Sequence, residues 1–115
     1  MAFDERDVGR GDVIALRPPP NRFFPRPLGF LKVVRGVPGD VVTRDGRLFL
    51  VNGEPVGVAK SHAHNGEPLT PGPEGVIPPD HYFVWSPHPD SFDSRYADIG
   101  WIASDRILGR ADRLL

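Results

Sequence analysis

Two dipeptides, Asp45-Gly46 and Asn52-Gly53, limit what this chain can fold into more than any other feature. Each lies between short runs of β-branched, aromatic or aliphatic residues, and Asp, Asn and Gly accept the positive φ that tight antiparallel turns require. They predict a meander of strands over Val41 to Arg44, Arg47 to Val51 and Glu54 to Ala59. Turn formers recur along the chain, with 13 glycines and 14 prolines in 115 residues, while a hydrophobic fraction of 39% is too high for a disordered polymer. Short strands joined by many turns satisfy both numbers.

Further strands are expected at Asp12 to Leu16, stopped by Pro18, Pro19 and Pro20, at Phe30 to Val34, and at His81 to Trp85. The apolar Ile99 to Ile102 and then Arg106 to Ala111 can supply closing strands, with at most a helical turn near Ala103 to Arg106. Lys60 to Asp80, rich in Gly, Pro, His and Asn, reads as a long surface loop. No window carries a sustained helical repeat. The expected fold is all-β, a partly open barrel or coiled antiparallel sheet with a long central loop, in a single domain over 1–115.

A net charge of −1 provides no basic field, so no nucleic-acid partner is expected. The absence of cysteine removes disulfides, thiol nucleophiles and thiolate metal sites. Apolar runs fall far short of the roughly 20 residues of a membrane span. The opening Met-Ala-Phe-Asp-Glu-Arg-Asp does not read as a secretory signal, so the chain as written is expected to be soluble and uncleaved.

Lys32 interrupts the apolar strand Phe30-Leu31-Lys32-Val33-Val34. In an alternating strand it shares a face with Phe30 and Val34, which sets an ammonium beside apolar neighbours. Burial disfavours the protonated form, and a lysine made neutral in this way can take a proton from a hydroxyl. A lysine in such a strand also serves as an edge-strand gatekeeper or snorkels to water. Spacing alone leaves both roles open.

Ser91-Phe92-Asp93-Ser94-Arg95-Tyr96 gathers hydroxyls, a carboxylate and a guanidinium just after the His81 to Trp85 strand. Asp93 and Arg95 can pair, and Ser91 or Ser94 can hydrogen-bond a neutral lysine nitrogen and fix its orientation. The same residues suit an ordinary polar turn with a surface ion pair. His62 and His64, joined by His81 and His88, could be gathered around zinc. No cysteine helps them, however, and His62 and His64 point the same way only in an extended segment, so no metal site is expected. Ser86, His88 and Asp90 lie too close in sequence to converge on one substrate atom as a triad.

Taken in order, these segments resemble the signal peptidase I family, the S26 peptidases with a Ser/Lys dyad. Gly11-Asp12-Val13-Ile14-Ala15-Leu16 resembles the family's Arg-Gly-Asp-Val-Val strand. Lys32-Val33-Val34-Arg35-Gly36-Val37-Pro38-Gly39-Asp40 resembles its Lys-Arg-Val-x-Gly-Leu-Pro-Gly-Asp box, and Leu50-Val51-Asn52-Gly53 its Leu-Tyr-Val-Asn-Gly hairpin. Ser91 to Tyr96 resembles the box that ends Asp-Ser-Arg-Tyr, in a spelling similar to the conjugative-transfer branch. The likeness spans nearly the whole chain, as the C-terminal two-thirds of the family domain.

The resemblance implies a serine endopeptidase that removes leader peptides from exported precursors. A serine attacks the scissile carbonyl, and a buried neutral lysine takes its proton. On that pattern Lys32 is the general base, Ser91 orients it, and Asp93, Ser94 and Arg95 brace the site. The partner is a precursor polypeptide bound as an extended strand against Phe30 and Leu31, with small side chains in shallow pockets. No cofactor is implied, and oligomeric state is left open. The family works at the extracytoplasmic face of the cytoplasmic membrane, held by an N-terminal anchor.

The family serine lies upstream of the Gly-Asp-Val strand in a Ser-Met-Xaa-Pro type of box, whereas residues 1–10 contain neither a serine nor an apolar anchor. The expectation is a core that is inactive by itself: an excised piece, the product of a late start, or a non-catalytic pseudo-peptidase that holds a peptide without cutting it. A self-cleaving repressor-type Ser/Lys protein shares the chemistry, but the Asp-Ser-Arg-Tyr box favours the peptidase. Val33 stands where the family has arginine, and Ser86-Pro87-His88 where it has Gly-Asp-Asn.

Overall fold

The computed structural model describes residues 8–23, 29–88 and 90–111. The expected meander is present as β3 (Val41–Asp45), β4 (Leu48–Val51) and β5 (Glu54–Val58), paired antiparallel in that order. Asn52 and Gly53 turn β4 into β5 with φ of 51° and 81°, the doubly positive pair of a tight hairpin. The first corner falls one residue later than the sequence suggests. Asp45 stays extended and pairs with Leu48, so Gly46, at φ 59°, and Arg47 make the turn.

Around this hairpin run β1 (Val13–Leu16), β2 (Phe30–Gly36), β6 (Gly75–Val76), β7 (His81–Trp85), β8 (Ile102–Ala103) and β9 (Ile107–Arg110). They form a five-stranded sheet in the order β8-β7-β2-β1-β9 and a four-stranded sheet in the order β5-β4-β3-β6, neither closed into a barrel. The closing strands are shorter than expected. Ile99 is buried but precedes Gly100, which turns at φ 65°, so β8 begins only at Ile102. A 3-10 turn, Ser104–Arg106, leads into β9. No helix among the described residues is long and apolar enough to cross a membrane.

β7 explains why His81-Tyr82-Phe83-Val84-Trp85 lacks alternation. Tyr82 and Val84 enter one core with Ile14, Leu16, Val34 and Ile102. Phe83, on the other face, enters a second core with Val42, Phe49, Val51 and Ile77. A strand buried on both faces reads as a continuous apolar run. Each of these side chains contributes roughly 1.5–3 kcal/mol by leaving water.

The central stretch Lys60 to Asp80 is irregular, but it is tied down rather than suspended. Leu69 and Ile77 are buried in the second core, and β6 pairs with β3. The Gly72 N–H donates to the Arg95 carbonyl at 2.8 Å, and the Ala97 N–H to the Thr70 carbonyl at 2.9 Å. A Cβ on Gly72 would stand 2.4 Å from the Ser94 carbonyl oxygen, so only glycine lets the loop lie this close to residues 94–95.

The turn from β2 to β3 is locked by Asp40. Its carboxylate accepts from Arg10 Nε at 2.8 Å, the Val37 N–H at 2.9 Å and Asn52 Nδ2 at 3.0 Å. The Arg10 hydrogen bond, followed by those of Val37 and Asn52, outweighs burial and holds the Asp40 carboxyl at about 2. Because this folded value lies below the unfolded one of roughly 3.9, the stabilisation is complete above about pH 5 and fades as pH falls toward 2. Arg10 is 57% exposed, which screens the pair. Asp40→Asn is therefore expected to cost about 1–2 kcal/mol in urea unfolding at pH 7 and much less near pH 2. An equal cost at both pH values would contradict this account.

Candidate active site

β2 lies between β1 and β7 in the five-stranded sheet. Phe30 to Val33 pair with β1, whereas Val33, Val34 and Gly36 pair with β7. Lys32 sits just before the first residue that also pairs with β7, opposite Ile14, whose side chain is fully buried. The register thus turns the Lys32 stem toward the first core. Phe30 shares that face, its ring centroid 5.2 Å from Lys32 Nζ. Leu31, opposite Ala15, lies on the other face and is 63% exposed.

Lys32 Nζ donates to Ser91 Oγ at 2.8 Å. The Ser91 hydroxyl in turn donates to Asp93 Oδ2 at 3.0 Å, so its proton is committed to the carboxylate and its lone pair to the amine. Burial lowers the Lys32 pKa from its ordinary value; Asp93 pulls it back up, and Arg95 pushes it further down. Burial is the largest of the three, and the amine loses its proton more readily than one in water.

Asp93 and Arg95 hold the serine in place. Arg95 Nε and Nη2 donate to Asp93 Oδ1 and Oδ2, each at 2.9 Å, in a two-point pair whose side chains are 4% and 0% exposed. The backbone N–H of Arg95 also reaches Asp93 Oδ1 at 3.1 Å, and that of Ser86 reaches Oδ2 at 3.3 Å. Arg95 Nη1 donates to the Val58 carbonyl at 3.2 Å, tying the box to β5. Ser94 has a different task. Its Oγ accepts from the Val84 N–H at 2.8 Å while its own N–H donates to the Val84 carbonyl at 3.0 Å, docking the box along β7. Of the two serines that could reach the lysine, Ser91 does so.

The histidines do not gather. His81 Nδ1 lies 2.9 Å from the Pro79 carbonyl, His62 Nδ1 3.0 Å from Ser61 Oγ, and His64 Nε2 3.1 Å from Asp90 Oδ2. Among the described residues, no three or more His, Cys, Asp or Glu side chains are grouped to hold a metal ion. Ser86, His88 and Asp90 do not assemble as a triad either. The Ser86 N–H serves Asp93, and the Asp90 carboxylate is taken by Lys60 and His64.

The sequence reasoning missed the surroundings of Ser91. Phe23, Lys60, Ala63, His64, Leu69 and Asp90 converge there from three separate segments. No local pattern announces that meeting, because the central loop brings it about. Phe92 and Tyr96, whose hydroxyl oxygen accepts the Lys60 N–H at 2.9 Å, lay within the box already singled out.

Comparison with known proteins agrees with this architecture. The family model described as signal peptidase, peptidase S26, matches residues 2–115. The conjugal transfer protein TraF of Agrobacterium fabrum is 32% identical over 123 residues, an alignment that takes in 92% of this chain and 68% of that protein. A crystal structure of a signal peptidase I from Enterococcus faecalis V583 superposes with a TM-score of 0.56 at 21% identity, covering 90% of this chain and 96% of that one. With that fold, and with a family match over almost its full length, the chain belongs to the signal peptidase S26 family.

Proposed function

We propose that this chain is the base-bearing core of a serine endopeptidase that removes leader peptides from exported precursors at the extracytoplasmic face of the membrane. The observation that carries the reading is the half-buried Lys32 amine, its pKa lowered by burial, held on Ser91 Oγ at 2.8 Å. In this role Lys32 accepts the proton of an attacking serine and then passes it to the leaving amine, replacing histidine in the usual triad. Ser91 aims the nitrogen, Asp93 and Arg95 fix Ser91, and Ser94 fastens the box to β7. The precursor lies as an extended strand along Phe30 and Leu31. Among the described residues, the β7 ladder on β2 begins at Val33, beyond this stretch.

The nucleophile is not assigned to any described hydroxyl, since Ser91 already donates to Asp93. The second reading is a groove that holds an export signal or a partner strand without cutting it. Titrating Lys32 Nζ by NMR in this chain tests the shared premise. The midpoint is expected below the ordinary lysine value of roughly 10.4, and a midpoint at or above that value would sink the base assignment.

A further inference from the structure

The tripeptide Asn-Gly-Glu occurs twice in this chain, at residues 52–54 and 65–67, and the fold treats the two copies differently. Asn52 is tied at both ends of its side-chain amide. Its Oδ1 accepts from the Val41 N–H at 2.9 Å and its Nδ2 donates to Asp40 Oδ1 at 3.0 Å, while its own N–H donates to the Val41 carbonyl at 2.8 Å.

Asn65 lies in an exposed turn. The Gly66 N–H donates to the Ala63 carbonyl and the Ala63 N–H to the Glu67 carbonyl, each at 2.9 Å, closing a small hairpin in the central loop whose flanks meet at His62 and Pro68. Asn65 Oδ1 accepts the Glu67 N–H at 3.0 Å, the local bond that asparagine makes to the backbone two residues on. Among the described residues, Asn65 Nδ2 has no hydrogen-bond partner.

These contacts prepare the two amides for different fates. An asparagine before glycine is open to attack on Cγ by the next backbone nitrogen, since glycine has no Cβ to obstruct the approach. At residue 65 the Glu67 N–H already stands on the oxygen where negative charge develops, and the nitrogen that must depart is unattached. One turn hydrogen bond, from Gly66 to Ala63, has to open first, in a segment exposed from His64 to Pro68. At residue 52 the departing nitrogen is held by Asp40 and the oxygen by the first residue of β3.

We propose that Asn65 is a site of spontaneous deamidation, with water as co-reactant. The Gly66 nitrogen gives up its proton to water and bonds to Asn65 Cγ; the Cγ–Nδ2 bond breaks, and Nδ2 takes up a proton and leaves as ammonia. Water then opens the cyclic imide at either carbonyl, leaving a carboxylate on the ordinary backbone or on a backbone longer by one carbon. Either product adds a negative charge to the wall of a cavity of about 300 Å³ that Asn65 shares with Asp90 and Ser91. The modification requires nothing of the peptidase reading.

The test incubates the chain as it is at mildly alkaline pH, in buffer and in concentrated urea, and follows both sites by mass spectrometry of proteolytic fragments. In buffer, conversion at residue 65 is expected to be about tenfold or more faster than at residue 52, whose side-chain amide must first leave both of its hydrogen bonds. In urea the two copies, identical in sequence, should convert at similar rates. Asn65→Ser should remove the fast phase and leave the slow conversion at residue 52 in place. The proposal is overturned if the folded chain converts at residue 52 as fast as at residue 65, if residue 65 stays intact in buffer while the urea-unfolded chain converts, or if the difference between the copies persists in urea.

Discussion

Lys32→Ala is expected to lower precursor cleavage by roughly 10³-fold or more, assayed in a chain supplied with the family's serine-bearing segment ahead of residue 1. A positioned general base contributes about 10²–10⁴-fold, and an unassisted serine hydroxyl is a poor nucleophile near neutral pH. Lys32→Arg should not rescue the activity, because a guanidinium does not give up its proton in a protein. Parental cleavage should rise with pH as the amine becomes neutral, with a midpoint below that of an exposed lysine. The same shift has a consequence for stability, with a definite sign. Between the lowered folded pKa and the unfolded value, the unfolded chain binds more protons, so stability increases with pH across that window. A Lys32→Ala protein that cleaves at the parental rate would remove the dyad assignment.

The second large effect concerns stability. Asp93→Ala is expected to cost about 3–5 kcal/mol in urea unfolding, the usual consequence of stripping one partner from a buried ion pair. Among the described residues, the Arg95 guanidinium, 4% exposed, would keep the Val58 carbonyl at 3.2 Å, a long contact to the Ser91 carbonyl at 3.5 Å and the Tyr96 ring at 6.0 Å. The double variant Asp93→Ala/Arg95→Met should recover part of the loss, since no charge is then stranded. Ser91 would also lose the acceptor that orients its hydroxyl, so the Lys32 amine should become more mobile. A cost below about 1 kcal/mol for Asp93→Ala would mean that water reaches the guanidinium, and the closed pair described above would be wrong.

Legibility in the sequence followed the range of the interactions involved. The Asn52-Gly53 corner could be read because two adjacent residues determine it, and the Asp45-Gly46 corner was off by one because Asp45 is also good enough as the last residue of a ladder. Lys32 stood out because one ammonium among apolar neighbours is visible without coordinates. The choice between Ser91 and Ser94 was not visible. It depends on the Val84 backbone lying alongside the box and claiming Ser94, which is a matter of tertiary placement. The central loop hid its packing for a related reason. Leu69, Gly72 and Ile77 are too sparse to form a period, yet each makes a contact that a bare loop would lack.

The pairing of β2 with β1 on one side and with β7 on the other from Val33 has an arithmetical consequence. A strand shows alternate residues to alternate sides, so adding or deleting a single residue between Phe30 and Val33 would exchange Leu31's outlook for that of Lys32. The nitrogen would then face bulk water and lose the burial that lowers its pKa, and Phe30 would leave the first core with it. In this architecture chemistry depends on parity: loops can lengthen or shorten, but the count of residues through that short segment must stay as it is.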